Sequence, residues 1–102
     1  MEKEILRRYE LVIILDAKLP PDEKETISKD VVEVITNQGG KVINKDVWIE
    51  KQKFTFPIKK QEEGTYYLIN FDGQAACIVK IRTALRLNEK ILRSSIIKVE
   101  TN

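Results

Sequence analysis

The chain contains no histidine and a single cysteine, Cys77. Histidine is the commonest general acid–base group and the usual activator of a nucleophile, so its absence removes many enzyme mechanisms and leaves carboxylate and lysine chemistry. A structural zinc site draws on several Cys and His ligands and is not expected. One thiol forms no internal disulfide, which suits a reducing compartment. Cys77 sits among apolar neighbours and reads as a small buried hydrophobe. No apolar run approaches the roughly 20 residues that cross a bilayer, and the first ten residues are charged where a signal peptide is apolar. The expectation is a cytosolic protein with no membrane partner, metal, cofactor or small-molecule substrate.

What is present is charge. Of the 102 residues, 33% are charged and 42% hydrophobic, which fits one soluble domain over 1–102 and is too short for two independent cores. The net charge of +2 hides an asymmetry. Residues 1–50 hold 8 basic and 11 acidic side chains, net −3; residues 51–102 hold 10 basic and 5 acidic, net +5. A basic C-terminal half points to an anionic partner, most simply nucleic acid, although a solvated face has the same composition.

The chain opens with Leu6-Arg7-Arg8-Tyr9-Glu10 and runs into Leu11-Val12-Ile13-Ile14-Leu15. So apolar a strand belongs at the centre of a sheet, with Tyr9, Leu11, Ile13 and Leu15 on one face. Guanidinium groups held at its start match phosphate geometry through their planar fork; the plainer reading leaves both in water. Pro20-Pro21-Asp22-Glu23 then starts a helix, since proline is tolerated in the first turn and carboxylates suit its positive end. Ile27, Val31, Val34 and Ile35 recur at helical spacing, and Gly39-Gly40 stops it, placing the helix over 22–38.

Lys41 to Pro57 predicts a long second strand, with a bulge or bend between Asn44 and Lys51 and with Pro57 on an edge or at the strand's end. Lys59-Lys60-Gln61-Glu62-Glu63-Gly64 reads as a polar loop, and Thr65 to Phe71 as the third strand. Asp72 is the expected N-cap of a helix over 73–87, with Ile78, Ile81 and Leu85 on one stripe and Arg82 and Arg86 sharing a neighbouring face. A last strand spans 92–99. Strand, helix, strand, strand, helix, strand is an α+β, ferredoxin-like order: a four-stranded antiparallel sheet with both helices on one face.

The other face stays open. Val12 and Ile14 from the first strand and Tyr66 and Leu68 from the third lie on it as central neighbours. An apolar patch rimmed by Lys and Arg marks an interaction surface, unless crossover loops or Met1–Ile5 fold over it. RNA-recognition modules of this topology stack bases on aromatics there. Here Glu63-Gly64-Thr65-Tyr66-Tyr67-Leu68-Ile69-Asn70-Phe71 lacks their glycine and aromatic order, and Tyr66 is the one aromatic on the outer face of the central strands.

Arg7-Arg8-Tyr9-Glu10, Phe56-Pro57-Ile58, Gly64-Thr65-Tyr66-Tyr67-Leu68 and Leu85-Arg86-Leu87-Asn88-Glu89-Lys90-Ile91-Leu92-Arg93, ending Ile96-Ile97-Lys98, together resemble the bacterial small-subunit ribosomal protein six family in order and spacing. The resemblance covers nearly the whole chain. It implies a ferredoxin-like fold, a non-catalytic place in the small ribosomal subunit on the central domain of 16S ribosomal RNA, and pairing with small-subunit ribosomal protein eighteen. The family usually carries a Trp-Gly-Arg-Arg-like segment before Leu-Ala-Tyr-Pro-Ile. This chain instead has Trp48-Ile49-Glu50-Lys51-Gln52-Lys53-Phe54-Thr55-Phe56-Pro57-Ile58, with a Trp-to-Pro spacing one residue longer and part of the basic cluster replaced. It also stops at Asn102, without the acidic tail that some members carry.

On this reading Arg7, Arg8, Arg86, Lys90 and Arg93 contact RNA backbone, where phosphate contacts fix register and make affinity salt-dependent. Lys59 and Lys60 add charge or are simply solvated. Trp48, Lys53, Phe56, Tyr66 and Leu68 form the protein-partner surface, an apolar centre with a charged rim. Two rivals stand beside it. One is a stand-alone module for single-stranded RNA. The other is a small ferredoxin-like enzyme or sensor, for which Glu62 and Glu63 are candidate carboxylates without an evident pocket.

Overall fold

A computed structural model describes residues 6–99. The elements run β1 (Arg7–Asp16), α1 (Pro21–Asn37), β2 (Lys41–Ile58), β3 (Gln61–Gly73), α2 (Ala75–Leu87) and β4 (Ile91–Lys98). The sheet order is β2-β3-β1-β4 and every neighbouring pair is antiparallel. The most apolar strand thus lies inside the sheet, where both of its ladders are satisfied.

Both helices bury one stripe against one face of the sheet. Ile27, Val31 and Ile35 of α1 and Ile78, Ile81 and Leu85 of α2 meet Tyr9, Leu11, Ile13 and Leu15 of β1 and Tyr67, Ile69 and Phe71 of β3. Phe71 is fully buried and stacks on Tyr9, ring centroids 5.5 Å apart. α1 ends where Gly39 takes φ +85°, a left-handed conformation glycine adopts without steric cost, while the Gly40 N–H donates to the Ile35 carbonyl at 2.9 Å. Lys45 of β2 ties the sheet edge to α1. Its ammonium donates to Glu25 Oε1 at 2.9 Å and to Ser28 Oγ at 3.0 Å. The Lys45 contact holds the Glu25 carboxyl below its ordinary pKa.

Two local expectations fail. Residues 61–64 are not a loop: β3 begins at Gln61, and Lys59 and Lys60, at φ +48° and +68°, make a two-residue turn straight out of β2. Positive φ at both central residues is the sign pattern of a type I′ turn, whose twist matches that of paired strands. Strand pairing imposes it on two lysines that disfavour it, where a sequence reader looks for Asn-Gly. Asp72 is not an N-cap. β3 runs on to Gly73, Gln74 precedes α2, and the Asp72 carboxylate instead accepts from Arg8 Nε at 2.5 Å across the β1–β3 ladder.

The irregularity of β2 exceeds the single bulge expected. The β2–β3 register slips between Val42 and Asn44, Val47 and Ile49, Ile49 and Gln52, and Lys53 and Ile58. Each slip adds residues to the edge strand, and such insertions bend and twist it. Pro57 lies in this edge strand, next to its last residue, where a missing N–H costs no ladder bond. Residues 1–5, one expected cover for the open face, lie outside the described residues.

Candidate nucleic-acid and protein interface

The face away from the helices is built in rows by the strand register. Ile49, Tyr66, Ile14 and Arg93 form one row from β2 to β4. Asp46, Leu68, Val12 and Ser95 form the next, followed by Asn44, Asn70, Glu10 and Ile97. Lys41, Asp72 and Arg8 close the far end. The face therefore grades from apolar and basic at one end to polar and charge-paired at the other.

At the apolar end the β2–β3 hairpin curls over the sheet. A groove of about 490 Å³ lies between them, lined by Trp48, Ile49, Lys53, Phe54, Phe56, Tyr66 and Arg93 among others. Trp48 meets Tyr66 edge-on with centroids 6.2 Å apart, and Phe54 approaches Tyr66 at 6.5 Å. Sequence reading grouped Trp48, Phe56 and Tyr66 on this surface; the structure adds Phe54 and sets Trp48 and Phe54 each against Tyr66. Gly64 makes the approach possible. A Cβ at Gly64 would lie 2.4 Å from Phe54 Cζ and 2.7 Å from Ile14 Cγ2. Ile14 is consequently buried although it is on the open face. Gly64→Ala is expected to push the Phe54 ring off Ile14 and lower stability by about 1–3 kcal/mol, the usual cost of overpacking. Urea unfolding with tryptophan fluorescence measures both, since Trp48 is the only tryptophan.

The five expected partner-interface residues divide by exposure. Trp48 and Phe56 are 57% and 78% exposed, large apolar areas for side chains with no cover of their own. Tyr66, against Trp48, and Leu68, one row along between Asp46 and Val12, are half-buried, and Lys53 is exposed on the groove wall. Ile97, 56% exposed on β4, is a separate apolar point in the row of Asn44, Asn70 and Glu10 and was not among the expected interface residues.

The five expected RNA-contacting residues do not form one patch. Strand alternation sends Arg7 and Arg8 to opposite faces. Arg8 is engaged by Asp72, whose hydrogen bond and charge raise its pKa. Lys90 pairs with Glu23 of α1 at 3.1 Å, in a depression also lined by Asp30 and Glu89. Arg86 and Arg93 do converge. They line a cleft of about 280 Å³ with Arg82, Lys59, Leu85, Ile91, Leu92 and Ser94. Arg93 pairs in register with Ile14, six residues along β1 from Arg8, so the two basic ends are about 20 Å apart. Arg82 was legible as the helical neighbour of Arg86; Lys59 joins only because the hairpin turn returns to β4, where its ammonium donates to the Ile91 carbonyl at 3.1 Å.

The family model for ribosomal protein S6 matches residues 8–98. The chain belongs to the ribosomal protein S6 family. It is 38% identical over 95 residues to the small ribosomal subunit protein bS6 of Micrococcus luteus, covering 93% of each chain. With that of Geobacter metallireducens it shares 34% over 96 residues, covering 94% of this chain and 80% of the relative. Among solved structures, the crystal structure of 30S ribosomal protein S6 from Thermotoga maritima superposes with a TM-score of 0.84 at 25% identity, over 93% of this chain and 89% of that one. An uncharacterized protein from the same organism, at 12% identity and a TM-score of 0.56, shares the fold alone. The residues matched by the S6 family model include the whole of β2, with its longer Trp-to-Pro spacing. No helix among the described residues is long and apolar enough to cross a membrane.

Proposed function

We propose that this chain is a structural component of the small ribosomal subunit that binds the central domain of 16S ribosomal RNA together with small-subunit ribosomal protein eighteen, and that it performs no catalysis. The observation that carries the reading is the S6 family match over 8–98. Two surfaces support the division of labour. The aromatic groove of Trp48, Phe54, Phe56 and Tyr66 suits a protein partner, with an apolar centre and charge at the rim. The cleft carrying Arg86 and Arg93 suits RNA backbone. Arg7 contributes an exposed charge at the other end of the sheet, while Arg8 and Lys90 reach phosphate only by leaving their carboxylate partners.

The single-strand-binding alternative draws on the same three rings. Their edge-on and tilted contacts leave little parallel platform for successive bases, which favours a protein occupant. Binding measurements separate the two. The proposed function predicts affinity for a folded central-domain RNA in the presence of the partner protein, falling linearly in log K against log salt. Replacing Arg86 and Arg93 together with alanine is expected to reduce that slope by about 2, roughly one for each lost phosphate contact. An unchanged slope removes both residues from the RNA contact. Tight binding of unstructured RNA by the chain alone sinks the assembly reading.

A further inference from the structure

We infer that the cavity between the first turns of α1 and the β2–β3 pair is a binding site for an aliphatic ammonium group, held by the Tyr67 hydroxyl and the Glu50 carboxylate. The site does not rest on the proposed function. It lies on the helix side of the sheet, because Val47 on its floor pairs in register with Tyr67, which belongs to the core. The aromatic groove, with Tyr66, is on the opposite face.

Tyr67 carries the inference. It is 6% exposed, lines the cavity, and its hydroxyl donates to no described residue. No unpaired side-chain oxygen or nitrogen among the described residues is sealed from solvent, so this hydroxyl opens on the cavity. The volume is about 490 Å³, within the roughly 300–1,000 Å³ of small-molecule sites.

A tyrosine beside a sheet edge often gives its hydroxyl to water. Here the surroundings select for a cation. Burial, and then the charges of Glu25 and Glu50, raise the phenol above its ordinary pKa, so the neighbouring charge felt at its oxygen is negative. The cations of the lining are engaged elsewhere. Lys24 Nζ donates to the Ala17 carbonyl at 3.0 Å, and Lys51 pairs with Glu63 at 3.5 Å. Glu25 is taken by Lys45 at 2.9 Å. Glu50 joins no ion pair among the described residues. Its backbone carbonyl accepts from the buried Thr65 hydroxyl at 2.6 Å, which anchors the residue beside the cavity. A carboxylate and a phenol oxygen facing one space accept two N–H bonds from a single ammonium, the first of them charge-assisted. Ala17, Pro21 and Val47 leave an apolar part of the lining for the alkyl chain.

Titration of n-pentylamine hydrochloride into the full chain at neutral pH, followed by NMR of backbone amides and tyrosine ring protons, tests the site. Saturable shifts are expected at Val47, Glu50, Thr65, Tyr67 and the first turns of α1, and sodium pentanoate should give none. Tyr67→Phe keeps the ring in the core and removes only the hydroxyl, while Glu50→Gln alters an exposed side chain. Each should weaken binding about tenfold, as loss of a hydrogen bond to a charged group does. Glu33→Gln, which removes an exposed carboxylate farther along α1, should not. Saturable binding of pentanoate, shifts that never saturate, or an affinity unchanged in both the Tyr67 and Glu50 variants overturns the proposal. A second arm replaces the amine with lysine blocked at its backbone amine and carboxyl. Binding of that probe at least as tightly supports the site with a protein side chain as the source of the ammonium; weaker binding supports it with a free amine as the source.

Discussion

Trp48→Ala is expected to weaken association with the partner protein about thirtyfold or more, the loss of roughly 2 kcal/mol that follows truncation of a central aromatic anchor. Trp48 is suited to that role for two reasons. It is 57% exposed, so little of its area is already used inside the chain, and it is held edge-on by Tyr66, so its orientation is fixed before binding. The same exposure means that its removal opens no cavity in the core, and the thermal midpoint should move little. Titration calorimetry against purified protein eighteen, paired with thermal unfolding, separates the two effects. A change below about threefold in affinity would place the anchor elsewhere, with Phe56 the next residue to truncate.

Phe71→Ala should cost about 3–5 kcal/mol of folding stability, the range for deleting a buried phenyl ring. Among the described residues Phe71 is the largest fully buried side chain, sits on the inner strand β3, and stacks on Tyr9 of β1. Deleting it leaves a void beneath both central strands, where neither ladder can move to fill it. For a domain of this length each kcal/mol is worth about 4–8 °C, so a fall of at least 12 °C in the unfolding midpoint is anticipated. Calorimetry measures it directly. A loss under 1 kcal/mol would mean that the core relaxes into the gap, contrary to the rigidity expected of a central sheet.

Elements defined by burial were readable along the chain. The alternation of Tyr9, Leu11, Ile13 and Leu15 and the helical spacing of Ile27, Val31, Val34 and Ile35 each record one face meeting one core, and all are buried except Val34, which is half-buried against it. That periodicity is a local consequence of which side of an element is dry. Ends of elements were less legible. Asp72 has the chemistry of a cap, yet it lies opposite Arg8, and a cross-strand cation competes successfully for its oxygens. Lys59 and Lys60 lack every residue-type signal of a tight turn, and only the pairing of β2 with β3 places them there. The edge strand was the hardest to read. Its bulges obey no fixed period, and that the Phe54 ring closes over Gly64 is visible only in the folded hairpin.

The candidate interface shows the same limit. Arg7 and Arg8 are adjacent in the chain and part company in space, while Lys59, Arg82 and Arg93 are scattered and meet. Charge carries no periodic signature, because a solvated cation faces water from any position on a surface. The chain's own residue pattern, read alone, determined the element order, the buried stripes and the resemblance to a ribosomal protein. Only the folded sheet decided which cations share a cleft and which rings share a groove, because those groupings depend on strand register and on where a bent hairpin comes to rest, and both are settled by contacts between residues far apart in the chain.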